Sequence, residues 1–464
     1  MKIAICTLGC KVNQYETQAM EGELVRRGHT LTDFDGPADA YIINTCAVTA
    51  VSGHKSRQMI RQAQKRNPDA VVAVCGCYAQ TDPQTVAQLG VDLIGGPDKR
   101  MEFLDRLEEL MASKELCQPK EGQTKNQGFF SKNEHFDREN PVFEIQPGTT
   151  IPQVTVGNIM STRAFEELPA GGLSTRTRAM LKVEDGCVNF CSYCIIPYAR
   201  GPVRSLPLDK AAEQAKALAG NGYKEIVLTG IEISSWGQDL KTGQTLTDLI
   251  EAVCAAAPHC RVRLGSLEPR TVTEEFCKRL SSLHNLCPHF HLSLQSGCDA
   301  TLKRMNRKYD THRYYESVEL LRKYYVNPGI TTDLIVGFPG ETEEEFEETL
   351  EFLKKCAFTA MHIFPYSRRP GTPADKMPDQ APKAVKEDRA RRAAALAGEM
   401  ERAFLEGLVG QTLPVLFEEE KGGLWRGHTP NYVEVYAPGD GLHNIEKPVH
   451  MTGIDKAHLL GELT

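Results

Sequence analysis

The sequence predicts an α/β protein in three parts: an amino-terminal parallel α/β domain, a central partial (β/α) barrel and a carboxy-terminal small antiparallel β-barrel. Three observations predict it. Apolar strand-like runs alternate with amphipathic helical patterns over residues 1–112. The same rhythm returns over residues 176–400, and it places parallel strands side by side with helices on their faces. The last stretch, residues 401–464, leaves a charged helix for short β-rich runs broken by Gly and Pro.

Element by element, KIAIC is a short apolar strand. NQYETQAMEGELVRRG follows with apolar residues at helical spacing and a glycine stop. ADAYIINTC is the next strand, a polar basic helix covers residues 52–66, AVVAVCGC is a third strand, and residues 83–111 carry further helical patterns. Residues 113–175 are rich in polar residues, Gly and Pro, the composition of a linker or surface insertion with room for a strand in PVFEIQ or QVTVGNI. Six strands then recur at barrel spacing: AMLKVED, EIVLTGI, RVRLGSL, HFHLSLQ, TTDLIVGF and MHIFPY. A charged helix spans 383–408, and TLPVLFEE, NYVEVYAP and PVHMTGI are the strands of the small barrel.

The chain has 464 residues, 41% apolar and 25% charged, ordinary values for a globular protein. Its formal charge of −7 excludes a globally basic nucleic-acid binder, so any such partner must meet local patches. No stretch has the form of a secretory signal or an apolar membrane span. Fifteen cysteines in such a chain predict a reducing cytoplasm, where patterned cysteines serve metals or catalysis.

The most specific pattern is EDGCVNFCSYC, in which Cys187, Cys191 and Cys194 stand in one loop after a predicted strand. Three thiolates do not complete a tetrahedral zinc site. They do hold three irons of a [4Fe–4S] cube and leave the fourth open. Upstream, Cys10 in TLGCKVN, Cys46 in NTCAVT and Cys77 in CGCYAQ each follow an apolar strand. All three then fall at the carboxyl edge of one parallel sheet, where open α/β sheets bind ligands. From spacing alone they are equally a second three-thiolate cluster site or buried structural cysteines. Cys75 falls on the same strand face as Cys77 and is a rival ligand.

LKVEDGCVNFCSYCIIPYARG resembles the radical S-adenosylmethionine superfamily. The upstream cysteine segments, with TGIEISSWG, RLGSLEP, LSLQSGCDATLKRMNRKY and TTDLIVGFPGETEEEF, resemble the methylthiotransferase family over most of the chain, and the tail resembles its RNA-binding TRAM barrel. The resemblance implies two [4Fe–4S] clusters and S-adenosylmethionine, with one cluster generating a radical and the other presenting sulfur. It implies that Tyr193 packs near the adenine. Gly230 ends a strand and lets backbone approach a ligand closely, Gly337 makes a tight turn after a buried strand, and both are cofactor-binding candidates. Ser266, Glu268, Gln295 and Asp333 are polar residues in apolar settings, matched by ligand contact or by internal hydrogen bonds. No side chain is assigned as a general acid or base.

Within the family, TGIEISSWG resembles the type acting on threonylcarbamoyl-adenosine at position 37 of tRNA. The isopentenyl-adenosine type shows LGQNVNSYG, and the type acting on an aspartate of a ribosomal protein an AQD-like block. The family reading implies tRNA bound by its anticodon loop and an electron-donor protein, with no DNA or membrane partner. A rival of another class is a non-catalytic RNA-binding iron–sulfur protein. Two departures stand out: Leu206 replaces a common arginine, with Arg204 nearby, and the 113–175 insertion is long. The tail has four Lys or Arg against nine Asp or Glu over residues 405–464, a poor footprint for RNA. Basic residues cluster elsewhere: Lys55, Arg57, Arg61, Lys65 and Arg66 on the second helix, then residues 303–313 and 389–392. Trp425, Tyr432 and Tyr436 are candidates for base stacking or for packing inside the small barrel.

Overall fold

A computed structural model describes residues 1–117, 152–169 and 177–464. The chain divides into two compact units: Met1–Pro169 with Tyr198–Pro202, and Ala170–Pro197 with Val203–Thr464.

The first unit is built on six parallel strands in the order β2-β1-β3-β4-β5-β6. They are β1 (Lys2–Thr7), β2 (Thr30–Thr32), β3 (Ala40–Thr45), β4 (Val71–Gly76), β5 (Leu93–Ile94) and β6 (Gln153–Val154). Continuous apolar runs suit the central positions of β3 and β4, where every residue is buried. The helices are α1 (Lys11–Arg26), α2 (Ala50–Arg66), α3 (Cys77–Thr81), α4 (Pro83–Ala87) and α5 (Arg100–Cys117). Met20 and Leu24 of α1 meet Phe103, Leu104 and Leu107 of α5 over Ile3, Ile42 and Ala73 of the sheet. Cys75 belongs to this core. Helix α5 runs past the expected domain end at residue 112, and QVTVGNI supplies β6. PVFEIQ lies outside the described residues.

In the second unit, β7 (Arg178–Lys182), β10 (Glu225–Thr229) and β11 (Arg261–Leu264) pair in parallel. So do β12 (Ser266–Leu267), β13 (His289–Leu292), β14 (Gly329–Val336) and β15 (Ala360–Pro365). Only Gly265 separates β11 from β12, so the two sheets continue one another as an open barrel ending at β7 and β15. Between the first two barrel strands, β8 (Glu184–Asp185) and β9 (Arg204–Ser205) form a short antiparallel clamp. The three-cysteine run lies in the connection it closes. Asp185 holds the clamp by accepting from Lys182 Nζ at 2.9 Å, with Arg204 at 3.4 Å. Leu206 is fully buried and its carbonyl accepts from Trp236 Nε1, so this position serves packing.

Strands β16 (Thr412–Lys421), β17 (Leu424–His428), β18 (Glu434–Ala437), β19 (Glu446–Asp455) and β20 (His458–Leu463) close a small barrel. It departs from the wholly antiparallel expectation at one place, because β18 and β20 pair in parallel while the other four pairings are antiparallel. This barrel seals the amino ends of the large barrel's strands. Arg263, bidentate to Glu225, donates to the Pro430 carbonyl, and Arg178 pairs with Glu418. A Cβ at Gly329 would collide with the Asn431 carbonyl oxygen, so the first residue of β14 has to be glycine for this approach. The carboxyl ends of the strands are left for ligands.

Candidate functional site

The amino-terminal cysteines come together because β1, β3 and β4 are adjacent and end on one edge. Cys10 is the N-cap of α1, Cys46 directly follows β3, and Cys77 opens α3 after β4. Gly9 has φ +107°, and a Cβ there would lie 2.8 Å from Cys46 Sγ, so the Cys10 loop passes against Cys46 only as glycine. Asn13 ties the loops by donating to the carbonyls of Leu8 at 2.7 Å and Thr45 at 3.0 Å. Val48 N–H points to Cys46 Sγ at 3.5 Å, and Arg200 Nε donates to Cys77 Sγ at 3.2 Å. Burial raises the Cys77 thiol, against the opposing pull of Arg200 and with a further push from the charge of Cys10. Cys75 lies in the core against Arg100, where burial pushes it up to about 11 against the pull of that guanidinium. The packing therefore favours Cys77 over its rival.

The central cysteines sit on a loop stitched to the 304–306 segment. Ser192 N–H and Oγ reach the carbonyls of Met305 and Arg304, and Asn306 Nδ2 donates to the Phe190 carbonyl at 2.9 Å. Cys194 N–H bonds the Cys191 carbonyl in a tight turn. Arg307 Nη1 donates to Cys191 Sγ at 3.3 Å while its other nitrogens hold the Ser293 carbonyl and Tyr309 hydroxyl. Burial raises the Cys187 thiol, and the nearby charges of Glu232, Cys194 and Cys191 add to the rise. Loss of water around its carboxyl pushes Glu232 up to about 7, with Arg307 pulling down and Glu268 pushing up.

Each set thus offers three soft sulfur donors, one of them hydrogen-bonded by a guanidinium, from Arg200 in the first set and Arg307 in the second. Among the described residues, no three His, Cys, Asp or Glu side chains gather closely enough to hold a single metal ion. A cubane spreads its thiolates over separate irons, so its ligands stand further apart than the ligands of one ion. The donor chemistry of both sets fits such a cluster.

The other sequence-selected groups divide. Tyr193 packs with Met305, Phe338, Tyr366 and Ala374, meeting Phe338 edge-on at 6.5 Å. At Gly230 the close neighbour is Glu184, whose Oε2 fills the Cβ position at 2.7 Å and accepts from the Glu232 N–H. At Gly337 it is the stem of Lys386. Glu268 pairs with Arg270. Ser266 is exposed. Asp333 Oδ2 lies 3.4 Å from His291 Nε2. Gln295 adopts φ +71°, rare for a side-chain-bearing residue, and bridges to β14 through its N–H and carbonyl. Its side chain makes no hydrogen bond among the described residues.

The basic clusters also separate. On α2, Lys55, Arg57, Arg61 and Lys65 make no ion pair among the described residues, whereas Arg66 is committed to Asp35 and the Phe34 carbonyl. The two later clusters are largely neutralised. Arg304 pairs with Glu345, Arg307 donates to Cys191 Sγ, Arg389 pairs with Glu341, and Arg392 pairs with Glu343. Trp425 packs on the small barrel's core, and Tyr436 meets His458 at 4.5 Å. Tyr432 lies 4.8 Å from both His428 and His289, with Arg178 and Arg263 over its ring. Its faces serve the seal between the barrels.

Sequence reading missed Arg200, Arg307, Glu232 and Glu16. Arg307 lies in MNRKY, inside a block already singled out. Glu16 stands among Val12, Tyr15, Ala19 and Met20 on the buried stripe of α1, and a carboxylate on that stripe was the available signal.

Comparison with known proteins places these features in a family setting. Residues 181–353 match the model of the radical SAM superfamily, and residues 2–96 that of uncharacterized protein family UPF0004. The chain is 38% identical over 443 residues to the threonylcarbamoyladenosine tRNA methylthiotransferase MtaB of Bacillus subtilis, covering 94% of this chain and 90% of that one. It is 37% identical to the protein of the same name from Aquifex aeolicus, covering 95% and 97%. A tRNA-2-methylthio-N(6)-dimethylallyladenosine synthase of Pelotomaculum thermopropionicum is 31% identical, covering 100% and 98%. Among solved structures, the radical S-adenosylmethionine methyltransferase TsrM of Kitasatospora setae aligns over 81% of this chain and 75% of its own, with a TM-score of 0.52. At 16% identity that likeness concerns the fold alone.

Proposed function

The chain belongs to the family of threonylcarbamoyladenosine tRNA methylthiotransferases, and from that premise we propose that it converts N6-threonylcarbamoyladenosine at position 37 of tRNA to its 2-methylthio derivative. The observation that carries the reading is the pair of separate three-thiol sets at the carboxyl ends of two parallel-strand systems. An aromatic C2–H is not acidic, so a positioned base does not open it at neutral pH. When bound, two [4Fe–4S] clusters and S-adenosylmethionine supply the radical, the sulfur and the methyl group.

The chain's own residues hold and orient these groups. Cys10, Cys46 and Cys77 hold one cluster, and Cys187, Cys191 and Cys194 the other. Glu232 offers a carboxylate beside the central thiols, suited to the ammonium of S-adenosylmethionine. Ser266, Gln295 and Asp333 are the remaining polar groups proposed to meet cofactor or substrate. An electron-donor protein completes the cycle. No helix of the described residues is long and apolar enough to cross a membrane, and the reading places the protein in the cytoplasm.

The exposed face of α2 is the proposed tRNA-binding surface. Changing Lys55, Arg57, Arg61 and Lys65 to glutamine is expected to weaken tRNA binding. It should also flatten the plot of log affinity against log salt by about 1 for each phosphate that is no longer neutralised. An unchanged slope in a filter-binding titration refutes the role of this surface.

Nucleoside mass spectrometry of tRNA from a deletion strain tests the function itself. Loss of the 2-methylthio mark from threonylcarbamoyl-adenosine, restored by the gene, is the expected result. Persistence of that mark refutes the reading. Loss only from isopentenyl-adenosine, or from a ribosomal-protein aspartate, reassigns the substrate. Absence of 5′-deoxyadenosine formation by reconstituted, reduced protein favours a binding module.

A further inference from the structure

Among the described residues of the first unit, three charged side chains are fully buried: Glu16, Arg100 and Arg200. Glu16 bridges the other two, accepting from Arg100 Nη2 at 2.6 Å and from Arg200 Nη1. Arg200 also donates to Asn13 Oδ1 at 2.6 Å. Two guanidiniums therefore share one carboxylate out of reach of water. Arg200 Nε also donates to the Cys77 sulfur at 3.2 Å.

We propose that Arg200 is a positioning residue for the amino-terminal cluster: oriented by Glu16 and Asn13, its guanidinium hydrogen-bonds the Cys77 sulfur and makes that cluster easier to reduce. A donor to a ligand sulfur draws electron density from the iron, and a fixed cation in a dry site stabilises an added electron. Asn13 has a double part, since the amide that accepts from Arg200 also pins the Leu8 and Thr45 carbonyls beside Cys10 and Cys46. The guanidinium is thereby registered against all three ligand loops.

The inference rests on Cys10, Cys46 and Cys77 being cluster ligands, and the test separates the two claims. Full-length protein with Cys187, Cys191 and Cys194 changed to alanine is reconstituted and its iron counted. It is then titrated with reductant under electron paramagnetic resonance, with Arg200, Arg200→Lys and Arg200→Gln compared. About four irons are expected in the parent. The midpoint potential should fall in Arg200→Gln and fall by less in Arg200→Lys, which keeps the charge but loses the fork. An iron-free parent overturns the cluster reading and this inference with it. Iron retained with an unmoved potential overturns the role of Arg200 alone. If Arg200→Gln fails to fold or to load iron, the lysine variant decides: a lowered potential supports the role and an unchanged one refutes it.

Discussion

Replacing Cys77 by alanine is expected to lower the iron of the reconstituted protein from about eight atoms per chain to about four. Formation of the methylthio product should be lost, while reductive cleavage of S-adenosylmethionine to 5′-deoxyadenosine continues. The reasoning is spatial. Cys77 opens α3 at the edge where Cys10 and Cys46 also arrive, and its sulfur carries the Arg200 hydrogen bond. The central three cysteines lie on their own loop and keep their own partner, Arg307. Cys75→Ala is the matched control. It removes a sulfur from the apolar core, so it should cost some stability and no iron. Iron and sulfide analysis with product chromatography reads both variants. Eight irons in Cys77→Ala and four in Cys75→Ala would transfer the ligand role to Cys75.

Glu16→Leu is expected to destabilise the first unit by about 3–5 kcal/mol, the cost of leaving a buried charge without its partner. Here the substitution removes the carboxylate shared by two fully buried guanidiniums, Arg100 and Arg200. Native-state hydrogen exchange should show amides of β1, β3 and β4 losing protection while the large barrel's strands keep theirs. Glu109→Ala, which breaks an exposed pair with Arg106, should leave stability within about 0.5 kcal/mol. Equal protection in Glu16→Leu and the parent would mean that the site relaxes by admitting water, against the dry environment argued for Arg200.

The two predictions draw on unequal parts of what was legible beforehand. Cys77 was visible because a cysteine directly after an apolar run is a local pattern. Strand direction and pairing carried it to the sheet edge. Glu16 was invisible because a carboxylate on a helical stripe has no meaning until its partners are known. Those partners stand 84 and 184 residues away in the chain. The basic clusters repeat the contrast. The runs at 55–66, 303–313 and 389–392 look alike as composition. Only packing shows that the first presents unpaired charge, while Glu345, Glu341 and Glu343 occupy the arginines of the others.

Tyr432 makes the same point for an aromatic. Its place in the tail barrel suggested base stacking or packing inside that barrel; in the structure it is exposed, with its ring near two histidines and two arginines of the seal. Gly230 and Gly337 are expected from sequence to bind cofactor, and in the structure a Cβ at either would meet a side chain of this chain, Glu184 at Gly230 and Lys386 at Gly337.

By itself the sequence determined the alternation of strands and helices in the two parallel parts, the positions of the cysteines and, by the resemblance of its motif blocks, the family. The alternation depends on periodicity and turn residues, encoded within a few residues of one another. The tertiary structure alone decided that Cys77 opens α3 at the sheet edge while Cys75 lies in the core, which arginines are spent on carboxylates, and that each thiol set receives a hydrogen bond from a guanidinium. Those outcomes depend on distances between segments far apart in the chain, and a side chain's charge is available only where no other segment has already neutralised it.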